Sequence, residues 1–447
     1  EACQRRGARR ARPGSRGPEA GEAVVAASGP DVMTVAKTVL GNGITILSEN
    51  VPYLRSATVG VWISGGSRGE SPPENGIAHF IEHMLFKGTA RRRAIDISRE
   101  IESVGGTINA YTDREYIFFF AKVLTKDFPL VTDLLSDIYL NSLFDGHELD
   151  REKDVILQEI LMVEDSPEDL LHDFFHASYW GGHPLGLPIQ GTSGNVAALT
   201  RERVTEYFRD RFWRRGVIVS VVGNLPHELV VDGFERVMGS LRLGERHVPE
   251  PPPAPKRGVF LRGRPIEQIH LCLGAPGVSR ASEWKYAAHV LNAILGGSMS
   301  SRLFQEIREK RGLAYSVFSS LSSYADTGIL KICAGTTPDK ARDVLEVTGE
   351  VLADLSEGRV SDEEVVLAKE LIKGSMLLSM ENPGFRMTRL AMSEMFLGRI
   401  EDPMDEIRRV EEVTPEGVRD LASRMLLRER FSLAAVGDLA DASALSF

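Results

Sequence analysis

His79, Glu82 and His83 fall within five residues of the segment AHFIEHMLFKGT, residues 78–89. On a helix, positions i and i+4 share a face. His79 and His83 can then present two imidazole nitrogens to one metal ion. Glu82, turned slightly aside, can take a proton from a water next to that ion. A zinc hydrolase needs three protein ligands, an open position for water and a carboxylate base. The metal brings the pKa of its water to about 7, and the base completes the deprotonation.

A third ligand must come from elsewhere in the chain. Glu159 in REKDVILQEI is the candidate, and Glu152, two turns earlier on the same helix face, is placed to orient a ligand from behind. His172 and His176 in LLHDFFHAS repeat the i, i+4 spacing without a carboxylate pattern or a remote ligand. They read as packed or solvated histidines, and His183 in GGHPLG as a loop hydrogen-bonder.

These residues need elements to hold them. GITILSEN and ATVGVWISGG read as strands leading into the helix of the opening motif, and IDISREIESVGG as a second helix. TINAYTDREYIFFFAKV is β-branched and aromatic, as strands are. DFPLVTDLLSDIYLNSLF and HELDREKDVILQEILMVE read as helices, and VIVSVVGNL as a closing strand. The Pro-rich GERHVPEPPPAPKRG then breaks all periodicity and reads as a linker.

Beyond the linker the pattern repeats. AHFIEHMLFKG from Ala78 aligns with AHVLNAILGGS from Ala288, REIESVGG with QEIREKRG, LDREKDVILQEI with VSDEEVVLAKEL, and VVGNL with AVGDL. His289 stands in the place of His79, but Asn292 replaces Glu82 and Ala293 replaces His83. The expected architecture is therefore α+β: two duplicated domains, each a mostly antiparallel sheet with helices packed on it, joined by a Pro-rich linker. The divisions are a tail at 1–32, an N-terminal zinc-binding domain at 33–244, the linker at 245–258 and a degenerate repeat at 259–447.

Composition limits the function classes. A net charge of -10 argues against a general nucleic-acid or anionic-membrane binder. No apolar run is long enough to span a bilayer. Three cysteines, Cys3, Cys272 and Cys333, far apart and odd in number, argue against a disulfide framework or a thiolate metal site. The Arg-rich start has the composition of an organelle transit peptide, but it carries Glu19 and Glu22 and lacks an amphipathic period.

The sequence resembles the pitrilysin/insulinase family of inverted zincins, whose signature is H-x-x-E-H. It is most similar to the short two-domain type, the mitochondrial processing peptidase β subunits and their bacterial relatives, over most of the chain beyond the tail. The resemblance implies one zinc ion (Zn2+) per chain on His79, His83 and Glu159, with Glu82 as catalytic base and Glu152 as the second acidic position. GGTINAYTDREY resembles the family's edge strand, so Asn109 and Ala110 would meet the substrate backbone. In LFQEIREKRGLAYSV, Arg308 and Tyr315 match the family's Arg/Tyr pair, which suits a site that holds a peptide carbonyl.

The resemblance also implies a zinc metalloendopeptidase acting on unstructured or presequence-like peptides inside a dimeric chamber. Asp169 and Asp173, at i, i+4 spacing, offer an acidic pocket to a basic residue near the cleaved bond, or form a solvated acidic face. Both residue sets lie on one chain, so a homodimer is expected, with a heterodimer of related subunits as the alternative. A non-catalytic core or partner subunit of the same fold is the competing reading, and the intact metal set argues against it. The expected location is a bacterial cytoplasm, with the mitochondrial matrix as the alternative.

Overall fold

The computed structural model describes residues 34–213, 216–242, 244, 251–252, 254–439, 445 and 447. The expected tail and much of the expected linker lie outside these residues. Six strands form the first sheet: β1 (Thr34–Val39), β2 (Thr45–Asn50), β3 (Ser56–Ser64), β4 (Thr107–Thr112), β5 (Tyr116–Leu124) and β6 (Val217–Gly223). Their spatial order is β1-β2-β6-β3-β5-β4. Five form the second: β7 (Val259–Gly263), β8 (Ile269–Pro276), β9 (Ala314–Ser323), β10 (Gly328–Thr336) and β11 (Ser432–Gly437), ordered β7-β11-β8-β10-β9.

The two orders are the same once β1 is set aside. In each sheet one pair is parallel, β2 with β6 and β7 with β11, and every other pair is antiparallel. The duplication read from the sequence is thus a duplication of topology, and the fold is α+β with two mostly antiparallel sheets.

The central strands are buried along their whole length. All seven residues of β6 and all nine of β10 are buried. A sheet covered on one face would show alternation; a continuous run means that both faces are covered. One face of the first sheet carries its own helices, with Phe80, Ile81, Leu134 and Ile156 in the core. The other face is covered from the opposite half, by helix Pro383–Leu397, whose Met387, Leu390 and Met395 pack on Leu47, Trp62 and Val222.

The second sheet is covered in the reciprocal way. Helix Pro167–Trp180 of the first half lays Leu171, Phe175 and Tyr179 against Cys272, Ile329, Cys333 and Val436. Gly274 allows this contact, since a Cβ there would lie 2.0 Å from Phe175 Cζ. Each half therefore lends one helix to the other's sheet. A buried ion pair, Arg386 to Glu49, joins the halves at one of these contacts.

The β4–β5 and β9–β10 turns meet between the sheets. Arg68 bridges them, donating to Glu115 and to Asp326 at 2.6 Å each, and the Ala325 N–H donates to Glu115. No helix among the described residues is long and apolar enough to cross a membrane.

Candidate active site

Helix Ile77–Leu85 buries Ile77, Ala78, Phe80, Ile81, Met84 and Leu85, the 3.6-residue pattern of a core-facing stripe. Burying one such large side chain contributes about 1.5–3 kcal/mol, so this stripe fixes the rotation of the helix. His79, Glu82 and His83 are left half-buried on the remaining face. The start of the helix is held by Glu70. Its buried carboxylate accepts from the Gly76 N–H at 2.9 Å and the Ala78 N–H at 2.8 Å, where a negative charge also complements the helix dipole. Gly76 has φ +97°, and a Cβ there would meet Gln190 O at 2.6 Å.

Helix Gly146–Asp165 runs alongside, capped by Asp145, which accepts from the His147 and Glu148 N–H groups. Leu149, Glu152, Ile156 and Ile160 are its buried positions. Glu159, one step before Ile160, reaches the histidines. Its Oε2 lies 3.7 Å from His79 Nε2 and 3.7 Å from His83 Nε2. These three ligand atoms all lie within 4.8 Å of one another. Ligands about 2.0–2.1 Å from a tetrahedral zinc stand about 3.3 Å apart, so a small contraction would close the set on an ion. Among the described residues this is the one His/Cys/Asp/Glu group with such geometry.

The environment shifts each of these groups in its own direction. Burial, with the nearby His83, pushes His79 down to about 3, which keeps it neutral. Burial would also lower His83, but its hydrogen bond to Glu152 and the fields of Glu159, Glu152 and Glu82 leave it raised. That bond, His83 Nδ1 to Glu152 Oε1, is 2.8 Å. Glu152 is buried; its cost of burial is outweighed by His83 and by Lys87, whose ammonium lies 2.5 Å from the other oxygen, so its carboxyl is lowered. Glu152 thus orients His83, leaving Nε2 for a metal.

Glu82 is raised by burial, against the opposing pull of a hydrogen bond from the Thr112 hydroxyl. Thr112 ends β4, the edge strand of the first sheet. Asn109 is exposed on this strand, and its Oδ1 accepts from the Ala110 N–H at 2.8 Å. The edge strand therefore runs up to the Glu82 carboxylate.

The other expected residues lie apart from the metal group. Arg308 sits over the Tyr315 ring at 5.0 Å and over Phe304 at 4.7 Å, and Tyr315 is 81% exposed. Among the described residues, no hydrogen bond, ion pair or ring contact links either to His79, Glu82, His83 or Glu159. Asp169 is exposed and Asp173 half-buried on helix Pro167–Trp180. Burial raises the Asp173 carboxyl, while Arg114 of the chain itself pulls it down.

Sequence reasoning did not find Glu70, Lys87 or Thr112. Lys87 follows His83 by four residues, a signal that was available; Glu70 and Thr112 meet the motif only through the fold.

Comparison with known proteins places the chain. Residues 45–193 match the family profile described as Insulinase (Peptidase family M16), and residues 198–372 match that of the peptidase M16 inactive domain. An uncharacterized zinc protease of Streptomyces coelicolor is 41% identical over 424 residues, covering 92% of this chain and 91% of that protein. Another from Bacillus subtilis is 40% identical over 395 residues, covering 88% and 96%. A third, from Mycobacterium tuberculosis, is 38% identical over 410 residues, covering 90% and 92%. The chain belongs to peptidase family M16.

The fold agrees. A peptidase M16 inactive domain from Pseudomonas fluorescens superposes with a TM-score of 0.84 at 20% identity, over 90% of this chain and 98% of that one. A protease from Helicobacter pylori gives 0.83 at 20% identity, over 90% and 99%.

Proposed function

We propose that this chain is a zinc metalloendopeptidase that cleaves unstructured or presequence-like peptide segments inside a chamber formed by two copies of itself. The observation that carries the reading is the convergence of His79, His83 and Glu159, with Glu82 beside them on the same helix face. The donor set of two imidazoles and one carboxylate is that of catalytic zinc sites. A bound zinc ion would supply Lewis acidity to the substrate carbonyl and to the attacking water.

The chain's own residues do the rest. Glu82 takes a proton from the water and returns it to the leaving nitrogen; desolvation makes it a stronger base than a solvated glutamate. The Thr112 hydroxyl fixes its second oxygen. A substrate segment adds to β4 through main-chain hydrogen bonds, at Asn109 and Ala110. Arg308 and Tyr315 hold the substrate carbonyl, and Asp169 and Asp173 receive a basic residue near the cleaved bond.

In this reading 33–244 is the catalytic half, and 259–447 contributes substrate contacts. The bacterial relatives support a bacterial cytoplasmic protein over a mitochondrial one. The Glu82→Gln variant tests the assignment. It should keep its zinc and lose about 10²–10⁴-fold in turnover of an unstructured, Arg-containing peptide. A Glu82→Gln protein as active as the parent would remove Glu82 from the mechanism.

A further inference from the structure

A cavity of about 430 Å³ opens where the two halves meet, away from the zinc ligands. It is lined by Arg114 from the β4–β5 turn, Arg280 and Lys285 near the start of helix Lys285–Leu295, Lys331 from β10, and Arg389 from the crossing helix. His289, which stands in the place of His79, opens onto it as well.

Three carboxylates share the lining, Asp113, Glu401 and Glu406, but two of them are already taken. Glu401 accepts from Arg399 at 3.1 Å and Arg409 at 2.9 Å, and Glu406 accepts from Arg389 at 2.9 Å. The nearest carboxylate to Arg280 is Glu115, at 3.9 Å, and Glu115 is held by Arg68 and the Ala325 N–H. Arg280 lies instead over the Phe396 ring, with a buried Nε that has no hydrogen-bond partner.

Lys331 is the most telling member. The residue is 9% exposed on β10, and its ammonium makes no hydrogen bond or ion pair with a described residue, which leaves it facing the cavity. Its charge is felt by His172, His176 and the thiols of Cys272 and Cys333. His176, 4% exposed on the cavity wall, has a buried Nδ1 that is also unpartnered. Burying a cation without a counter-charge is costly. Five cations against three carboxylates leave this cavity wall net positive, and an anion in it would complement that charge.

We propose that this cavity is a binding site for a small multiply charged anion, recognised through carboxylate or phosphate oxygens by Lys331, Arg280, Arg114 and Lys285. Its volume suits a small organic anion or the acidic end of a peptide. The site goes beyond the peptidase reading, and its test needs no turnover, so the two can fail separately.

The test is calorimetric titration of the full chain, at ionic strength held constant with sodium chloride. The probes are inorganic phosphate and the diacidic peptide N-acetyl-Glu-Glu. The expected result is saturable binding of at least one probe, weakened about tenfold or more in Lys331→Met and in Arg280→Gln, since each removes charge-assisted hydrogen bonds. Lys331→Met replaces an ammonium that has no side-chain partner with an apolar side chain of similar length, so it should fold as the parent does; Arg280→Gln provides an independent check. Phosphate binding alone would identify a free anion as the ligand, and peptide binding alone would identify acidic residues of a peptide. No saturable binding of either probe, or binding unchanged in both variants, would overturn the proposal.

Discussion

The helices Ile77–Leu85 and Lys285–Leu295 follow corresponding strands, β3 and β8, of two sheets with one topology, yet among the described residues only the first carries a group that could hold a metal ion. The contrast separates scaffold from chemistry within one motif. In the first half, Glu82 accepts a hydrogen bond from Thr112 on the edge strand β4. In the second, Asn292 occupies that position and accepts from Ser319 on the edge strand β9 at 2.8 Å. The helix-to-edge-strand hydrogen bond is present in both halves, so an acceptor at this position suffices for the fold. A carboxylate there and a histidine one residue later are additions that the scaffold does not need. The surroundings diverge as well: acidic groups gather at the first helix, while the cavity beside the second is lined with cations.

The largest effect should come from the position where the halves differ most. Glu82→Gln makes the first helix resemble the second in charge and leaves Thr112 a hydrogen-bonding partner. Turnover should drop about 10²–10⁴-fold with zinc retained, as read by metal analysis beside a peptide assay.

The interlock of the halves comes next. Removing Arg386 strands the buried Glu49 carboxylate, so Arg386→Met should cost about 3–5 kcal/mol in denaturant unfolding. The pair Glu49→Gln with Arg386→Met should recover much of that loss. If Arg386→Met alone costs nothing, the crossing helix is not anchored there.

A smaller effect is expected behind the metal. Glu152→Gln leaves all three ligands in place but weakens the hold on His83, so zinc affinity should fall about 10–100-fold, measured by competition with a chelator. The smallest change should be none. Introducing Asn292→Glu and Ala293→His copies the signature into the second helix. Zinc should stay at one per chain, because Glu370, which the repeat sets against Glu159, is exposed and paired with Lys373 at 2.8 Å; a second bound ion would show that the scaffold, not the ligand set, decides.

Much of this contrast was legible in the sequence because it is local. The i, i+4 histidines, the glutamate between them and the degenerate copy all sit on single helices, and helical periodicity places them. Glu159 was within reach because its helix is long and regular. The β4 edge followed from the resemblance and is borne out by the sheet order.

Other features depend on which surface meets which, and periodicity does not report that. The helices Pro167–Trp180 and Pro383–Leu397 show apolar stripes, but nothing in a stripe says that each belongs to the other half's sheet. The mostly apolar run of β6, broken only by Ser220, was the available hint. For the same reason Cys272 and Cys333, 61 residues apart, gave no sign of being register partners on β8 and β10 with sulfurs 3.6 Å apart. β1 was missed because Thr34–Val39 is a half-buried edge strand with no strong alternation. Glu70 and Lys331 matter through neighbours brought in by the fold. His183, read as a loop hydrogen-bonder, does accept from the Leu185 N–H at 3.1 Å.

The central claim is that one half holds a metal and its copy does not. Metal analysis of the full chain, the His79→Gln variant and the His289→Gln variant tests it most directly. The account predicts one zinc per chain in the parent, none in His79→Gln and one in His289→Gln. Two ions per chain, or zinc lost with His289 and kept without His79, would contradict it.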